Sequence, residues 1–174
     1  MQRKKFDNIV KSYRESILLK PDTWILLAKQ QESLDDAIRI SVLSKNVDGK
    51  KHYHQRRKPN SILTDFSELL ISESSKIESS RTFDELLKTI EDIKIKGIGE
   101  VACYDTAYRI GNWLELSPEH IYMHAGTKIG AEKILKCKLS KRYIEKSELP
   151  NYFSESDLSP VELEDILCIY KNIL

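Results

Sequence analysis

Apolar residues recur along this chain at helical rather than alternating spacing. Phe6, Ile9, Val10, Tyr13 and Ile17 form one stripe, Trp24, Leu27 and Ala28 a second, and Leu34, Ala37 and Ile38 a third. The first third therefore reads as helical, with Asp22 or Thr23 after Pro21 capping the second helix and Ser33 the third. From Ser44 to Asn60 the period stops, and Asp48-Gly49 and Pro59 mark a polar loop. A helix over about Asn60 to Ile71 carries Ile62, Leu63, Phe66 and Leu69 on one face. Ser72 to Ser80 holds five serines and no stripe, and reads as a linker. Thr82 with Glu85 forms a capping box for a helix burying Phe83, Leu86, Leu87 and Ile90. Further on, Ser117-Pro118 is expected to open a short helix, Thr127 to cap one running to about Leu135, and Ser159, Pro160 and Glu162 to start the last. In that last helix Ile166, Leu167, Ile169, Tyr170 and Leu174 are expected to be buried. Only Ile121 to Met123 is strand-like, too short for a sheet alone.

Between Ile93 and Leu114 the sequence IKIKGIGEVACYDTAYRIGNWL sets two glycines around an isoleucine, with helical periods on both sides. That is the pattern of a helix-hairpin-helix. Gly97 and Gly99 can take backbone angles closed to other residues, Ile98 points back between the helices, and the amides that follow open the next helix unpaired. Such amides, with the positive end of the helix dipole, form an anion site suited to a nucleic-acid phosphate. Lys94 and Lys96 reinforce it, whereas Glu100 in the first turn competes for it. A plain structural turn remains the other reading of the same residues. The fold class expected is mainly α, a compact helical domain containing a helix-hairpin-helix motif. Its parts are residues 1–71 with a basic loop at 44–60, a linker at 72–81, and residues 82–174, together one compact unit.

Composition limits what this fold can do. With 174 residues, 40% hydrophobic and 32% charged, the chain can bury one core, and its net charge of +1 provides no overall basic field. Binding to a polyanion must come from local clustering, and Lys50 to Lys58, KKHYHQRRK, supplies five fixed cations and two histidines in nine residues. Lys50, Lys51, Arg56 and Arg57 would meet phosphate while His52, Tyr53 and His54 stack on bases or ribose; a solvated loop is the alternative. An HxH pair needs further ligands, and His120, His124 and the cysteines show no supporting spacing, so neither a metal nor a cofactor is expected. The odd set Cys103, Cys137 and Cys168 suits reduced thiols. No apolar run reaches the roughly 18 residues of a spanning helix and the first residues lack a signal segment, so no membrane partner and a cytoplasmic location are expected.

Two smaller constellations complete the reading. In YMHAGTKIG, residues 122–130, Thr127 would cap a second anion-binding helix start, Gly126 would admit a ligand, and His124 and Lys128 would flank it; a capped turn is the alternative. Asp105 and Arg109 stand one helical turn apart, as a surface ion pair or, facing a cleft, with Asp105 as the leading carboxylate. Tyr104 and Tyr122 are expected in the core with their hydroxyls at its rim.

The stretch IKGIGEVACYDTA is similar to the hairpin of the helix-hairpin-helix DNA glycosylases, a likeness covering about residues 86–129. It implies a hairpin that grips DNA near a flipped base. Strand-cleaving members carry a lysine two positions after the second glycine, where this chain has Val101, and the family's aspartate position falls in YMHAGTK, which has no carboxylate. The set GKKHYHQ, KGIGE, YDTAYRIG, HAGT and EDILCIYK also resembles a group of small bacterial proteins, a likeness that implies no activity. One function reading is a DNA-binding protein of glycosylase-like architecture in which Lys96, Gly97, Ile98 and Gly99 hold phosphate. Were it an enzyme, Asp105 or Glu100 with His124 or Lys128 would stabilise an oxocarbenium-like sugar or form a Schiff base. The alternatives are a non-catalytic protein interaction module and a small phosphate-ligand binder at Thr127. Oligomeric state is not legible.

Overall fold

Side-chain caps fix where four of the ten described α-helices begin. The computed structural model describes residues 2–18 and 22–174. In chain order it holds α1 (Gln2–Tyr13), α2 (Thr23–Lys29), α3 (Leu34–Leu43), α4 (Asn60–Ser72), α5 (Ser74–Glu78) and α6 (Phe83–Ile93). Then follow α7 (Glu100–Leu114), β1 (Ile121–Tyr122), α8 (Ala125–Leu135), β2 (Tyr143–Ile144), α9 (Asn151–Ser154) and α10 (Pro160–Ile169). The Asp22 carboxylate accepts from the amides of Trp24 and Ile25, at 2.9 and 3.2 Å, to start α2, and Ser33 accepts from Asp36 to start α3. Ser159 and Glu162 exchange both bonds of a capping box at α10, with Pro160 in the first turn. At α6 the box is offset by one residue: Thr82 accepts from Glu85, but the Glu85 carboxylate accepts from the amide of Arg81. The side chain of Ile17 and Pro21, both used in the sequence reading, lie outside the described residues.

The chain divides into two compact units, Pro21–Ser117 and a discontinuous one of Met1–Lys20 with Pro118–Leu174. In the first, α3 packs against α4 and α7, α2 against α3 and α7, and α6 against α7. Ile38, Leu63, Phe66, Leu70, Ile77, Phe83, Leu86, Leu87, Ile90 and Ile110 are among its fully buried large side chains, so the four side chains expected on the inner face of α6 are all inside. The stretch 72–81, expected as a linker, instead carries α5, whose Ile77 is fully buried. One apolar side chain with a place in the core outweighs the weak helix propensity of the serines around it.

In the other unit, Phe6, Ile9 and Tyr13 of α1 join Ile121, Ile144, Phe153, Leu163, Ile166 and Leu167 in one core. Ile121–Tyr122 does pair, antiparallel with Tyr143–Ile144; the partner is two residues long in a polar stretch, with no period to announce it. Residues 116–118 are not helical, so the helix expected at Ser117-Pro118 does not form. In α10, Ile166 and Leu167 are inside, but the helix ends at Ile169, which is 47% exposed.

The start of α8 also departs from expectation. His124, not Thr127, is the N-cap residue, and Thr127 is buried in a hydrogen bond with the Cys168 thiol. A Cβ at Gly126 would lie 2.3 Å from Cys168 Sγ, and one at Gly130 only 2.1 Å from the Leu167 carbonyl oxygen. The two glycines let α8 and α10 approach closely, so Gly126 admits α10 rather than a ligand. Among the described residues no helix is long and apolar enough to cross a membrane.

Candidate functional site

The turn between α6 and α7 is built around one obligatory glycine. Gly97 has φ +98°, a region L side chains avoid, and a Cβ there would also press on Ile62 at 3.1 Å. Gly99, by contrast, is extended at φ −95° and serves as N-cap with open space around it. Ile98 between them is buried. The helical ladder of α7 starts with Ala102 and Cys103, both donating to the Gly99 carbonyl, so the amides of Gly99, Glu100 and Val101 precede it. Lys94, Lys96 and Glu100 are exposed around this end.

Residues 44–58 fold back on that turn. Asn46 takes the amides of Asp48 and Lys50 on its side-chain oxygen, Gly49 adopts φ +73°, and Lys45 bridges Lys51 to close a small loop. His52 then donates its amide to the Ser44 carbonyl, and Gln55 and Arg56 donate theirs back to His52 in a tight turn. Two cations clamp the segment: Lys51 Nζ donates to the Lys58 carbonyl at 2.7 Å, and Lys58 Nζ to the Gly97 carbonyl at 2.6 Å. The last bond ties the basic segment to the glycine turn within one unit. Lys50, Arg56 and Arg57 remain exposed.

The histidines of this segment face the protein. His52 is buried edge-on against Trp24, with ring centroids 4.8 Å apart, so it does not offer a face to a base. His54 turns toward α7, where its Nδ1 stands 2.7 Å from Asp105 Oδ2. Tyr53 is the most exposed of the three rings, at 64%, and packs against both histidines. Gln55, buried beneath them, donates to Asp105 Oδ2 at 3.0 Å and meets His52 Nδ1 through its Oε1 at 3.1 Å.

Asp105 and Arg109 are not a surface pair. Arg109 is buried and donates to the Ser41 carbonyl and Ser44 Oγ, at 3.1 and 2.7 Å, capping the C-terminal end of α3 where Ser44 turns left-handed at φ +50°. Asp105 takes its bonds from His54 and Gln55 instead. Burial by itself would raise the Asp105 carboxyl, but the His54 hydrogen bond and the Arg109 charge outweigh it and hold the group below its ordinary value. For His52, burial and then Arg109 disfavour the cation, against a smaller pull from Asp105, and its pKa falls.

The remaining candidates lie in the other unit. His124 Nε2 stands 3.7 Å from Glu164 Oε1 and its ring stacks on Tyr122, and Lys128 is half-buried one turn into α8. Asp105 thus belongs to one unit and His124 and Lys128 to the other. Tyr104 and Tyr122 are buried as expected. The feature missed in the sequence is the meeting of His54 with Asp105, 51 residues apart; the HxH spacing was visible, but nothing local identifies its partner. Compared with known family models, curated proteins and solved structures, the chain matches none.

Proposed function

We propose that the unit Pro21–Ser117 binds nucleic acid, most simply DNA, through a helix-hairpin-helix formed by α6, the Gly97 turn and α7, with an architecture like that of the DNA glycosylases. The observation that carries this reading is the Lys58–Gly97 bond, which sets the basic segment against the turn. One backbone phosphate would take the amides ahead of the α7 ladder together with Lys96. Neighbouring phosphates would meet Lys50, Arg56 and Arg57, and Tyr53 would supply a stacking face. Lys51, His52 and His54, engaged within the protein, shape the segment rather than contact the ligand. The reading is one of binding through the backbone, without base sequence. It assigns no bond-breaking step, because Asp105 is already held by His54 and Gln55.

Fluorescence anisotropy with a short labelled duplex tests it. Binding should appear at about 50 mM salt and weaken steeply as salt rises, by close to one unit of log–log slope per phosphate neutralised. Replacing Lys50, Arg56 and Arg57 together by Ala should flatten that slope by about three units. No binding at low salt, or a slope unchanged in the triple variant, rejects the reading.

A further inference from the structure

The loop segment and α7 bring together three side chains whose combined chemistry differs from phosphate binding. His52, His54 and Asp105 each offer a donor atom, and the three atoms lie within 4.8 Å of one another. His54 Nδ1 and Asp105 Oδ2 are 2.7 Å apart, and His52 Nδ1 is 3.9 Å from the same oxygen. We infer that these residues form a site for one divalent first-row transition ion, held by two imidazoles and one carboxylate with its remaining positions open.

Distance, donor type and support agree on this. Metal bonds of about 2.1 Å separate neighbouring ligand atoms by about 3.0 to 3.4 Å. The 2.7 and 3.9 Å separations bracket that range, so an ion would open the short one by about 0.3–0.7 Å and close the long one by about 0.5–0.9 Å. Two imidazole nitrogens select zinc, iron(II), cobalt(II) or nickel over magnesium and calcium, which prefer oxygen alone. Gln55 now holds two of the donor atoms themselves, its Oε1 on His52 Nδ1 at 3.1 Å and its amide on Asp105 Oδ2 at 3.0 Å, so an ion takes over the place of the Oε1 contact. The His52 ring is further braced by Trp24. Access is open on one side: the His54 side chain is 34% exposed and that of Asp105 14%. The ion takes the place of the hydrogen that now bridges His54 Nδ1 and Asp105 Oδ2, because a ligating nitrogen must carry no hydrogen. Water or a phosphate oxygen would complete the coordination.

The site does not depend on nucleic-acid binding, and its test is separate. The untagged 174-residue chain, stripped with chelator, is titrated with cobalt(II) while the visible absorption is followed, and with zinc by calorimetry. The expected result is one saturable equivalent per chain, weakened at least tenfold by His54→Gln and again by Asp105→Asn. His120→Gln, in the other unit, leaves the affinity as it was. Histidine side-chain NMR of the wild-type protein needs no variant to fold: cobalt(II) should broaden the ring signals of His52 and His54 selectively. Absence of stoichiometric binding, wild-type affinity in either His54→Gln or Asp105→Asn, or broadening centred on His120 or His124 overturns the assignment. Duplex binding measured on the stripped protein keeps the outcome apart from that of the proposed function.

Discussion

Lys58 Nζ donates to the carbonyl oxygen of Gly97 at 2.6 Å, joining two segments 39 residues apart. A lysine that composition counts as one more surface cation is therefore a structural tie. It holds the basic segment against the one residue whose backbone angle the turn cannot do without. Lys58→Met keeps the length of the side chain and removes the bond. We expect a stability loss of about 1 kcal/mol, with faster amide exchange confined to residues 50–58 and 95–99. Unchanged exchange there would show that the tie holds nothing.

The two glycines of the turn should respond differently to a methyl group. Gly97→Ala places a Cβ at φ +98° and 3.1 Å from Ile62, and should destabilise by about 1–3 kcal/mol. Gly99→Ala meets no neighbour at an ordinary φ and should change stability by less than about 1 kcal/mol. If the α7 amides hold phosphate, Gly99→Ala still weakens duplex binding, because its methyl stands before them. Chemical denaturation beside anisotropy separates the effects, and a Gly99 variant that binds like wild type points to a structural turn.

Glu100 sits in the first turn of α7, where its negative charge favours the helix but opposes an incoming phosphate. Glu100→Gln should therefore tighten duplex binding about two- to fivefold at low salt, an effect that fades as salt rises. Weaker binding in this variant would contradict phosphate contact at that end.

The packing of α8 on α10 leaves no room at Gly130, where a Cβ would stand 2.1 Å from the Leu167 oxygen. Gly130→Ala must push the two helices apart and should lower the unfolding free energy by about 3 kcal/mol or more. The measurement is a denaturant melt; a loss below about 1 kcal/mol would mean that α10 yields easily.

The three cysteines are free thiols in different surroundings. Cys137 is exposed and should react first with a disulfide reagent at pH 8, before the part-buried Cys168. Burial raises the Cys103 thiol from 9.0 to about 11 and should keep it unreactive until the protein unfolds. Because the raised value favours the neutral folded form, this contribution is complete below pH 9 and is lost as pH rises through 11. Cys103→Ala should flatten the alkaline fall in stability by up to about 3 kcal/mol; the same fall in both proteins would place its origin elsewhere.

Much of this architecture is written locally. The period of Phe83, Leu86, Leu87 and Ile90 marks the inner face of α6, and Asp22, Ser33 and Ser159 mark helix starts, because a cap acts on amides two or three residues away. A bend follows from two glycines set between helical periods, but that Gly97 and not Gly99 takes the left-handed angle does not. Where neighbours along the chain do not decide, the pattern misleads. Ile77 turns a serine-rich stretch into α5 because a core receives it. Thr127, a good cap by type, is drawn under α10 because the glycines on either side allow close approach. A cation count treats Lys51 and Lys58 like Arg56 and Arg57, yet only the lysines find carbonyl partners.

Read alone, then, the chain determined its helical character, the capped helix starts and the one glycine-dependent bend, since each rests on periodicity or on hydrogen bonds a few residues long. Only the tertiary structure decided that Arg109 closes the end of α3 and that His54 meets Asp105. Those partners are separated by 65 and 51 residues, and their meeting depends on how the loop packs against α7, which no local rule encodes.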